Sequence, residues 1–198
     1  MTLSRLTALS LSLIVATALI GQFILNGALP EVQHWGLRIW GLMRYFTILT
    51  NGLVAVLMAR HVLGQKVSAD WYMTAALSIA MVGVIYQTLL VPPVPLTGAA
   101  WATDFAFHAA VPVLAVLWWI AFAPKPPSLA TLPLWLLWPL GYCLYALIRG
   151  GAEGRYPYFF VDVGQYGLAR VMVNVAGLIV VFAVAGAALW ALGRRSIR

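Results

Sequence analysis

The stretch from Val171 to Leu192 decides the fold, and it reads VMVNVAGLIVVFAVAGAALWAL, without one charged side chain. A helix needs about 20 mainly apolar residues to cross the hydrocarbon core of a bilayer. A helix whose whole outer surface is apolar is stable in lipid, because the helix satisfies its own backbone hydrogen bonds. The stretch therefore predicts a membrane-spanning helix, which we place at residues 166–192.

Five further apolar segments of similar length precede this one. Glycine, proline and charged residues separate them, and we place the segments at residues 6–25, 41–63, 71–91, 102–123 and 129–148. The first exceeds the roughly 7–15 apolar residues usual in a secretory signal, so we interpret it as a spanning helix. The sequence thus predicts an all-α membrane protein, a single domain over residues 1–198 that forms a bundle of six transmembrane helices.

The composition supports a lipid environment. Hydrophobic residues make up 63% of the 198 residues and charged residues 9%, whereas a soluble domain has about 25% charged residues. The net charge of +7 comes from basic residues near helix ends, which favours topology signals and contact with anionic lipid over nucleic-acid binding. The single cysteine, Cys143, excludes an internal disulfide and a thiolate metal site. We expect membrane lipids as partners, no nucleic acid, no cofactor and no metal.

Basic residues are divided unequally between the two predicted sides. One side has seven, namely Arg5, Arg60, Lys66, Lys125, Arg194, Arg195 and Arg198. The other has five, Arg38, Arg44, Arg149, Arg155 and Arg170, together with the acids Glu31, Asp104, Glu153 and Asp162. Because cytoplasmic loops are enriched in lysine and arginine, both termini are predicted to be cytoplasmic.

Polar side chains are costly inside a bilayer, and two spanning segments carry clusters of them near their outer ends. In the second segment, Thr47, Thr50 and Asn51 follow Arg44 at spacings that put all four on one helical face. In the fourth segment, Asp104 and His108 stand four residues apart and also share a face. Thr47 and His108 each lie about six residues into their segments, roughly 9 Å below the outer end.

A hydroxyl, an imidazole and a carboxylate at one depth suggest a nucleophile, its base and an orienting group. Thr47 and His108 are the catalytic candidates, with Asp104, Asn51 and Thr50 in supporting roles. The alternative is structural, because threonine and asparagine in spanning helices commonly bond to the backbone or to a neighbouring helix. The sequence leaves both interpretations open, for His108 as well.

Four arginines are candidates for holding an anionic head group at the same level: Arg44, Arg149, Arg170 and, in the loop between the last two segments, Arg155. A guanidinium binds carboxylate or phosphate well. The alternative is that these side chains extend to the lipid head groups or form structural ion pairs with Glu153 and Asp162.

Three motifs resemble a known family. They are Arg-Tyr-Phe-Thr-Ile-Leu-Thr-Asn at residues 44–51, His-Ala-Ala-Val-Pro at 108–112 and Tyr-Pro-Tyr-Phe-Phe-Val-Asp at 156–162. In this order they resemble the bacterial six-helix membrane proteins called Pr-six-Pr. That family is similar to the androgen-induced integral membrane hydrolases, which cleave fatty acid esters of hydroxy fatty acids. The resemblance implies a threonine nucleophile at Thr47, a histidine at His108 and a location in the bacterial inner (cytoplasmic) membrane.

Two functions follow as expectations. The first is an intramembrane hydrolase that uses Thr47 and His108 on a lipid ester, either a fatty acid ester of a hydroxy fatty acid or a related acyl ester. The second is a membrane protein that binds or transports a lipid or amphiphile without chemistry. The sequence shows no internal repeat of the kind common in transporters, which counts against the second.

Overall fold

The computed structural model describes residues 1–28, 34–126 and 128–195, and those residues form helices and connecting loops without a β-strand. The helices are α1 (Leu3–Gly27), α2 (Trp35–Leu42), α3 (Phe46–Val62), α4 (Ala69–Ile85), α5 (Gly98–Phe105), α6 (Val111–Phe122), α7 (Leu132–Glu153) and α8 (Val163–Arg195). One π-helical turn, Tyr86–Leu90, extends α4, and another, Ala106–Ala110, joins α5 to α6. Two short 3₁₀ turns lie at Leu129–Thr131 and Phe159–Val161.

By length and composition, five helical stretches of the described chain can each cross a membrane. They are Leu3–Gly27, Ala69–Leu90, Gly98–Phe122, Leu129–Glu153 and Val163–Arg195. Helices α2 and α3 pass the same test only together, and they meet at a bend of 94°. The predicted class, a helical multi-pass membrane protein, is confirmed, with five spans or six if the bent pair counts as one.

The second predicted segment, 41–63, is wrong at its start. A single helix was expected, but α2 ends at Leu42 and α3 begins at Phe46. The backbone carbonyls of this corner have partners on α7, because the Tyr145 hydroxyl donates to Met43 at 3.2 Å and the Tyr142 hydroxyl donates to Arg44 at 2.8 Å. The corner therefore needs no continuous helix, and it puts Thr47 in the first turn of α3.

The fifth and sixth segments also differ from prediction at their ends. The helix expected to end at residue 148 runs on to Glu153, where Gly154 follows with a φ of 66° that favours glycine. A glycine inside a helix costs only about 1 kcal/mol, and the ion pair between Arg149 and Glu153 supports this last turn. Helix α8 contains a break at Gly167, whose φ is 74°.

Helix α4 lies at the centre of the bundle, with α3, α6, α7 and α8 packed around it. Nearly every residue from Tyr72 to Gly83 is buried, as expected for a helix that is apolar all round. Small residues allow close approach. A Cβ atom at Gly83 would lie 3.1 Å from Pro112 Cβ and 3.3 Å from the His108 carbonyl oxygen. This contact brings α4 against the polar end of the α5–α6 span.

Polar side chains gather at the two ends of the bundle. At one end, His61 lies within 3.1 Å of the Tyr72 hydroxyl and 3.3 Å of the Ser4 hydroxyl. At the other end are the predicted site residues and an ion pair between Arg44 and Glu153. Glu31 and Arg198, which entered the charge comparison, lie outside the described residues.

Candidate active site

The structure brings Thr47 and His108 together. Thr47 is the second residue of α3 and His108 belongs to the π turn before α6. The distance from Thr47 Oγ1 to His108 Nε2 is 3.4 Å. Hydrogen bonds between a nucleophile and its base are commonly this long without substrate and shorten when substrate binds. The two side chains are therefore positioned for proton transfer from the hydroxyl to the imidazole.

Asp104 holds the other nitrogen of the same ring. His108 Nδ1 lies 3.1 Å from Asp104 Oδ1 and 3.1 Å from the Asp104 backbone oxygen. Both partners are acceptors, so Nδ1 carries the proton and donates it. Nε2 then presents its lone pair to Thr47, as a general base must. The order hydroxyl, imidazole, carboxylate is the order of the Ser-His-Asp triad.

Tyr86 completes this group, although sequence reasoning did not single it out. Its hydroxyl donates to Asp104 Oδ1 at 2.7 Å. Its ring stacks on the His108 imidazole, with the centroids 3.6 Å apart and the planes 8° from parallel. A buried tyrosine usually seeks a hydrogen-bond partner for its hydroxyl, which is the only signal the sequence offered. Tyr86 thus fixes both the carboxylate and the plane of the imidazole.

Both π turns lie at this group, and each precedes a proline. Pro112 has no N–H to donate to the His108 carbonyl, and its ring would clash with that carbonyl in a regular α-helix. Pro92 stands in the same relation to Thr88. A π turn widens the helix and relieves the clash, and such turns are frequent at functional sites.

Tyr158 reaches the start of α3 from the loop between α7 and α8, and it was not among the predicted site residues. The Phe46 backbone N–H donates to the Tyr158 hydroxyl at 3.1 Å. Burial raises the pKa of Tyr158 above its ordinary value, so the hydroxyl keeps its proton at neutral pH. Its place in the motif at 156–162 was the available signal.

Thr50 and Asn51 are fully buried one turn further along α3. The Thr50 hydroxyl accepts from Trp138 Nε1 at 3.0 Å, and Asn51 Nδ2 donates to the Thr47 carbonyl at 2.8 Å. Both contacts support the helix on which Thr47 stands. The Asn51 carboxamide oxygen has no hydrogen-bond partner among the described residues. Their suggested part in catalysis stays a prediction.

Two of the four candidate arginines are engaged by protein groups. Glu153 bridges them, because one of its carboxylate oxygens pairs with Arg44 and the other lies 2.9 Å from Arg149 Nε. Arg149 also stacks over the Trp40 ring at 3.9 Å and donates to the Trp40 carbonyl at 2.7 Å. Head-group binding by these two would compete with Glu153. Arg155 and Arg170 have exposed side chains, and a head-group role for all four stays a prediction.

Two cavities meet at the site. An apolar cavity of about 60 Å³ lies beside Thr47, Tyr86 and Tyr158, and its remaining walls come from α4, α7 and α8. A wider cleft of about 410 Å³ lies beside Tyr86, Asp104 and His108, on the side of the loop at residues 91–96. A ligand could therefore reach the reacting groups from two sides.

Comparison with protein-family models, curated proteins and solved structures finds no match for this chain. In the described part of the chain, no group of three or more His, Cys, Asp or Glu side chains is arranged to hold a metal ion.

Proposed function

We propose that the chain is an intramembrane hydrolase of lipid esters, with Thr47 as nucleophile and His108 as general base. One observation carries the proposal. Thr47 Oγ1 lies 3.4 Å from His108 Nε2, and the opposite ring nitrogen lies 3.1 Å from the Asp104 carboxylate. A hydroxyl, an imidazole and a carboxylate in this order make a nucleophile from a group that is otherwise inert.

The reaction follows the chemistry of these groups. His108 Nε2 takes the hydroxyl proton as Thr47 Oγ1 attacks the ester carbonyl carbon. The C–O bond to the alcohol then breaks, and His108 gives the proton to the departing oxygen. A water molecule, deprotonated by the same nitrogen, then attacks the acyl carbon. The C–O bond to Thr47 breaks, His108 returns the proton to Thr47 Oγ1, and the carboxylic acid leaves. Asp104 stabilises the imidazolium in both steps and Tyr86 keeps the ring in plane.

The surroundings favour a lipid substrate. The cavity beside Thr47 is lined by apolar and aromatic side chains, which suits an acyl chain. The cavity is narrow, so we expect an entering acyl chain to widen it. The motif resemblance to the Pr-six-Pr proteins points to fatty acid esters of hydroxy fatty acids or related acyl esters. That family assignment is itself part of the proposal.

The proposal includes a topology. Counting α2 and α3 as one bent span gives six spans, and the distribution of basic residues favours cytoplasmic termini. Thr47 and His108 then lie near the outer leaflet, in keeping with a bacterial inner-membrane protein that takes its substrate from the bilayer.

The test is turnover of a lipid ester by the purified full-length protein in lipid nanodiscs. A long-chain p-nitrophenyl ester and a fatty acid ester of a hydroxy fatty acid are the substrates. We expect Thr47→Ala and His108→Ala each to lower kcat by at least about 100-fold. Matched controls are Thr7→Ala and His61→Gln, whose side chains bond at the opposite end of the bundle and should leave kcat unchanged.

A binding or transport protein without chemistry is the second candidate, because the apolar cavity alone would suit a lipid ligand. The two are separated by a fluorophosphonate probe, which labels an activated hydroxyl. Labelling that disappears in Thr47→Ala supports the hydrolase. Absence of both turnover and labelling, with an intact lipid in the purified protein, supports the carrier.

A further inference from the structure

The proposed attack on an ester creates a negative charge that the groups described so far do not meet. When Thr47 adds to the carbonyl carbon, the carbonyl oxygen becomes an oxyanion. Donors aimed at this oxygen commonly provide the largest share of catalysis in acyl transfer. Asp104 is an acceptor at the opposite ring nitrogen, and the Tyr86 hydroxyl donates its only proton to Asp104, so neither is a donor for this oxygen.

The polar groups further along α3 do not line the cavity. One amide N–H of Asn51 donates to the Thr47 carbonyl, and the Thr50 hydroxyl accepts the Trp138 indole N–H. The second Asn51 N–H and the Thr50 proton remain, but neither side chain is among those that line the cavity beside Thr47. The donor must come from another element that touches Thr47.

The Tyr158 hydroxyl meets this requirement. It lines the apolar cavity together with Thr47. The hydroxyl oxygen accepts the Phe46 N–H at 3.1 Å. Its single proton is therefore left for an oxygen inside the cavity, and the bond from Phe46 strengthens it as a donor.

The neighbouring tyrosine cannot serve as this donor. Tyr142 also lines the cavity, but its hydroxyl donates its proton to the Arg44 carbonyl at 2.8 Å. Thr47 and Tyr158 also lie at the first turn of α3, where the helix dipole favours negative charge. The Tyr158 hydroxyl and the helix dipole therefore act at the same point, beside Thr47 Oγ1.

We infer that Tyr158 is a further catalytic residue, the hydrogen-bond donor that stabilises the oxyanion formed when Thr47 attacks the ester. The inference rests on the proposed hydrolase function. As the Thr47 oxygen bonds to carbon, the π electron pair of the carbonyl moves to its oxygen, and the Tyr158 O–H hydrogen-bonds to that oxygen without giving up its proton. When the alcohol departs, the electron pair re-forms the carbonyl and the hydrogen bond weakens.

Tyr158→Phe removes only the hydroxyl, and the matched control is Tyr72→Phe, a buried tyrosine whose hydroxyl lies 3.1 Å from His61 at the opposite end of the bundle. We expect Tyr158→Phe to lower kcat about 100-fold with little change in KM, because an oxyanion donor acts only after attack. Tyr72→Phe should keep wild-type kcat. The thermal midpoints of the two variants report any structural effect separately.

A tetrahedral adduct gives the readout that a structural role would not affect. A long-chain alkyl trifluoromethyl ketone adds the Thr47 oxygen and forms an oxyanion, whereas the matched secondary alcohol fills the cavity without adding. Tyr158→Phe should weaken ketone inhibition by about the same factor as kcat, and leave binding of the alcohol within about twofold. Ketone inhibition that stays within twofold of wild type in the folded variant overturns the inference.

The outcomes for the two claims are distinct. If the wild-type protein neither hydrolyses esters nor forms the ketone adduct, the proposed function fails and the inference fails with it. If wild type does both and Thr47→Ala abolishes both, while Tyr158→Phe keeps both, only the inference fails. Should Tyr158→Phe not fold, 3-fluorotyrosine at position 158 decides, since this stronger acid must tighten ketone binding and an unchanged affinity overturns the inference.

Discussion

A single imidazole lies at the centre of the candidate site. His108 is held by a stacked ring on one face, by the Asp104 carboxylate at Nδ1 and by the Thr47 hydroxyl at Nε2. A histidine inside a bilayer is expensive, and such complete fixation exceeds what is needed merely to satisfy its two nitrogens. Fixing both tautomer and plane is what a general base requires.

Asp104→Asn tests the positioning of His108. The amide keeps the size of the side chain but removes the charge that stabilises the imidazolium and selects the tautomer. We expect kcat to fall by about 10- to 100-fold, with KM nearly unchanged, in the nanodisc esterase assay. Fluorophosphonate labelling of Thr47 should slow in parallel. Unchanged kcat in a folded variant would remove Asp104 from the mechanism.

For single residues, the sequence predicted about half of the side chains that make up the candidate site. Thr47, His108 and Asp104 were identifiable because helical spacing and equal depth are properties of the chain itself. Tyr86 and Tyr158 were not, since tyrosines are common in apolar segments and near membrane interfaces. Their importance depends on which side chains the packing of α4, α6 and the loop after α7 brings within 3 Å or so of each other.

Breaks in the helices position the reactive side chains. The corner between α2 and α3 puts Thr47 at the start of a helix. The π turns at Tyr86–Leu90 and Ala106–Ala110 carry the stacked rings of Tyr86 and His108, which lie next to it. Close packing at Gly83 keeps the two π turns in contact. Continuous helices with the same composition would cross the bilayer equally well but would not make this site.

Gly83→Ala tests that packing. The added methyl group would stand 3.1 Å from Pro112 Cβ, so α4 and α6 must separate slightly. We expect stability to fall by about 1 kcal/mol and kcat by roughly 10-fold, measured by thermal unfolding in nanodiscs and by ester turnover.

Gly52→Ala is the matched control, because a methyl group there meets no atom within 4 Å. It lies inside α3, so it should keep activity and raise stability by about 0.5–1 kcal/mol through helix propensity. If both alanine variants behave alike, close packing at Gly83 has no part in positioning His108.

Glu153→Gln tests the connection between α7 and the corner. The change removes the carboxylate that pairs with both Arg44 and Arg149, and Arg149 is only 5% exposed. We expect a loss of about 1–3 kcal/mol in stability, since a shielded guanidinium loses its counter-charge. Asp162→Asn serves as the comparison, because its carboxylate only receives the Gln165 amide at the surface and should matter little.

The composition predicted where the helices lie in the chain, but it did not predict the residues at which they begin and end. An apolar run of about 20 residues fixes a span whatever its neighbours are. The corner at residues 43–45 depends on hydroxyl groups of Tyr142 and Tyr145, nearly a hundred positions away in the chain. Likewise Glu153, by pairing with Arg149, supports a helix end that the two glycines before it argued against.

The whole molecule is an apolar bundle with polar side chains at both ends, one of which contains the candidate site. Helix α4 is enclosed by its neighbours, while α8 exposes Val173, Val180 and Val184 by 61–65% and so presents a lipid-facing surface. Polar residues at the opposite end, such as His61 and Lys125, mainly bond to hydroxyls and backbone carbonyls. The asymmetry suits a protein that takes its substrate from one leaflet.

The proposed topology is testable with reporter fusions. With six spans and cytoplasmic termini, a fluorescent protein fused after Arg198 should fluoresce and alkaline phosphatase at that point should be inactive. Phosphatase inserted after Gly154, next to the site, should be active. The opposite pattern would invert the orientation, and activity of phosphatase at both positions would contradict a single crossing by α8 between them.

The central claim is that the Thr47 hydroxyl, activated by His108, forms a covalent intermediate with an acyl group. The most direct measurement is peptide mass spectrometry of the protein quenched in acid during turnover of a long-chain ester. We expect an acyl group on Thr47 in the wild-type protein and none in His108→Ala. Turnover with the acyl group on a different residue, or with Thr47 unmodified and its alanine variant fully active, would contradict it.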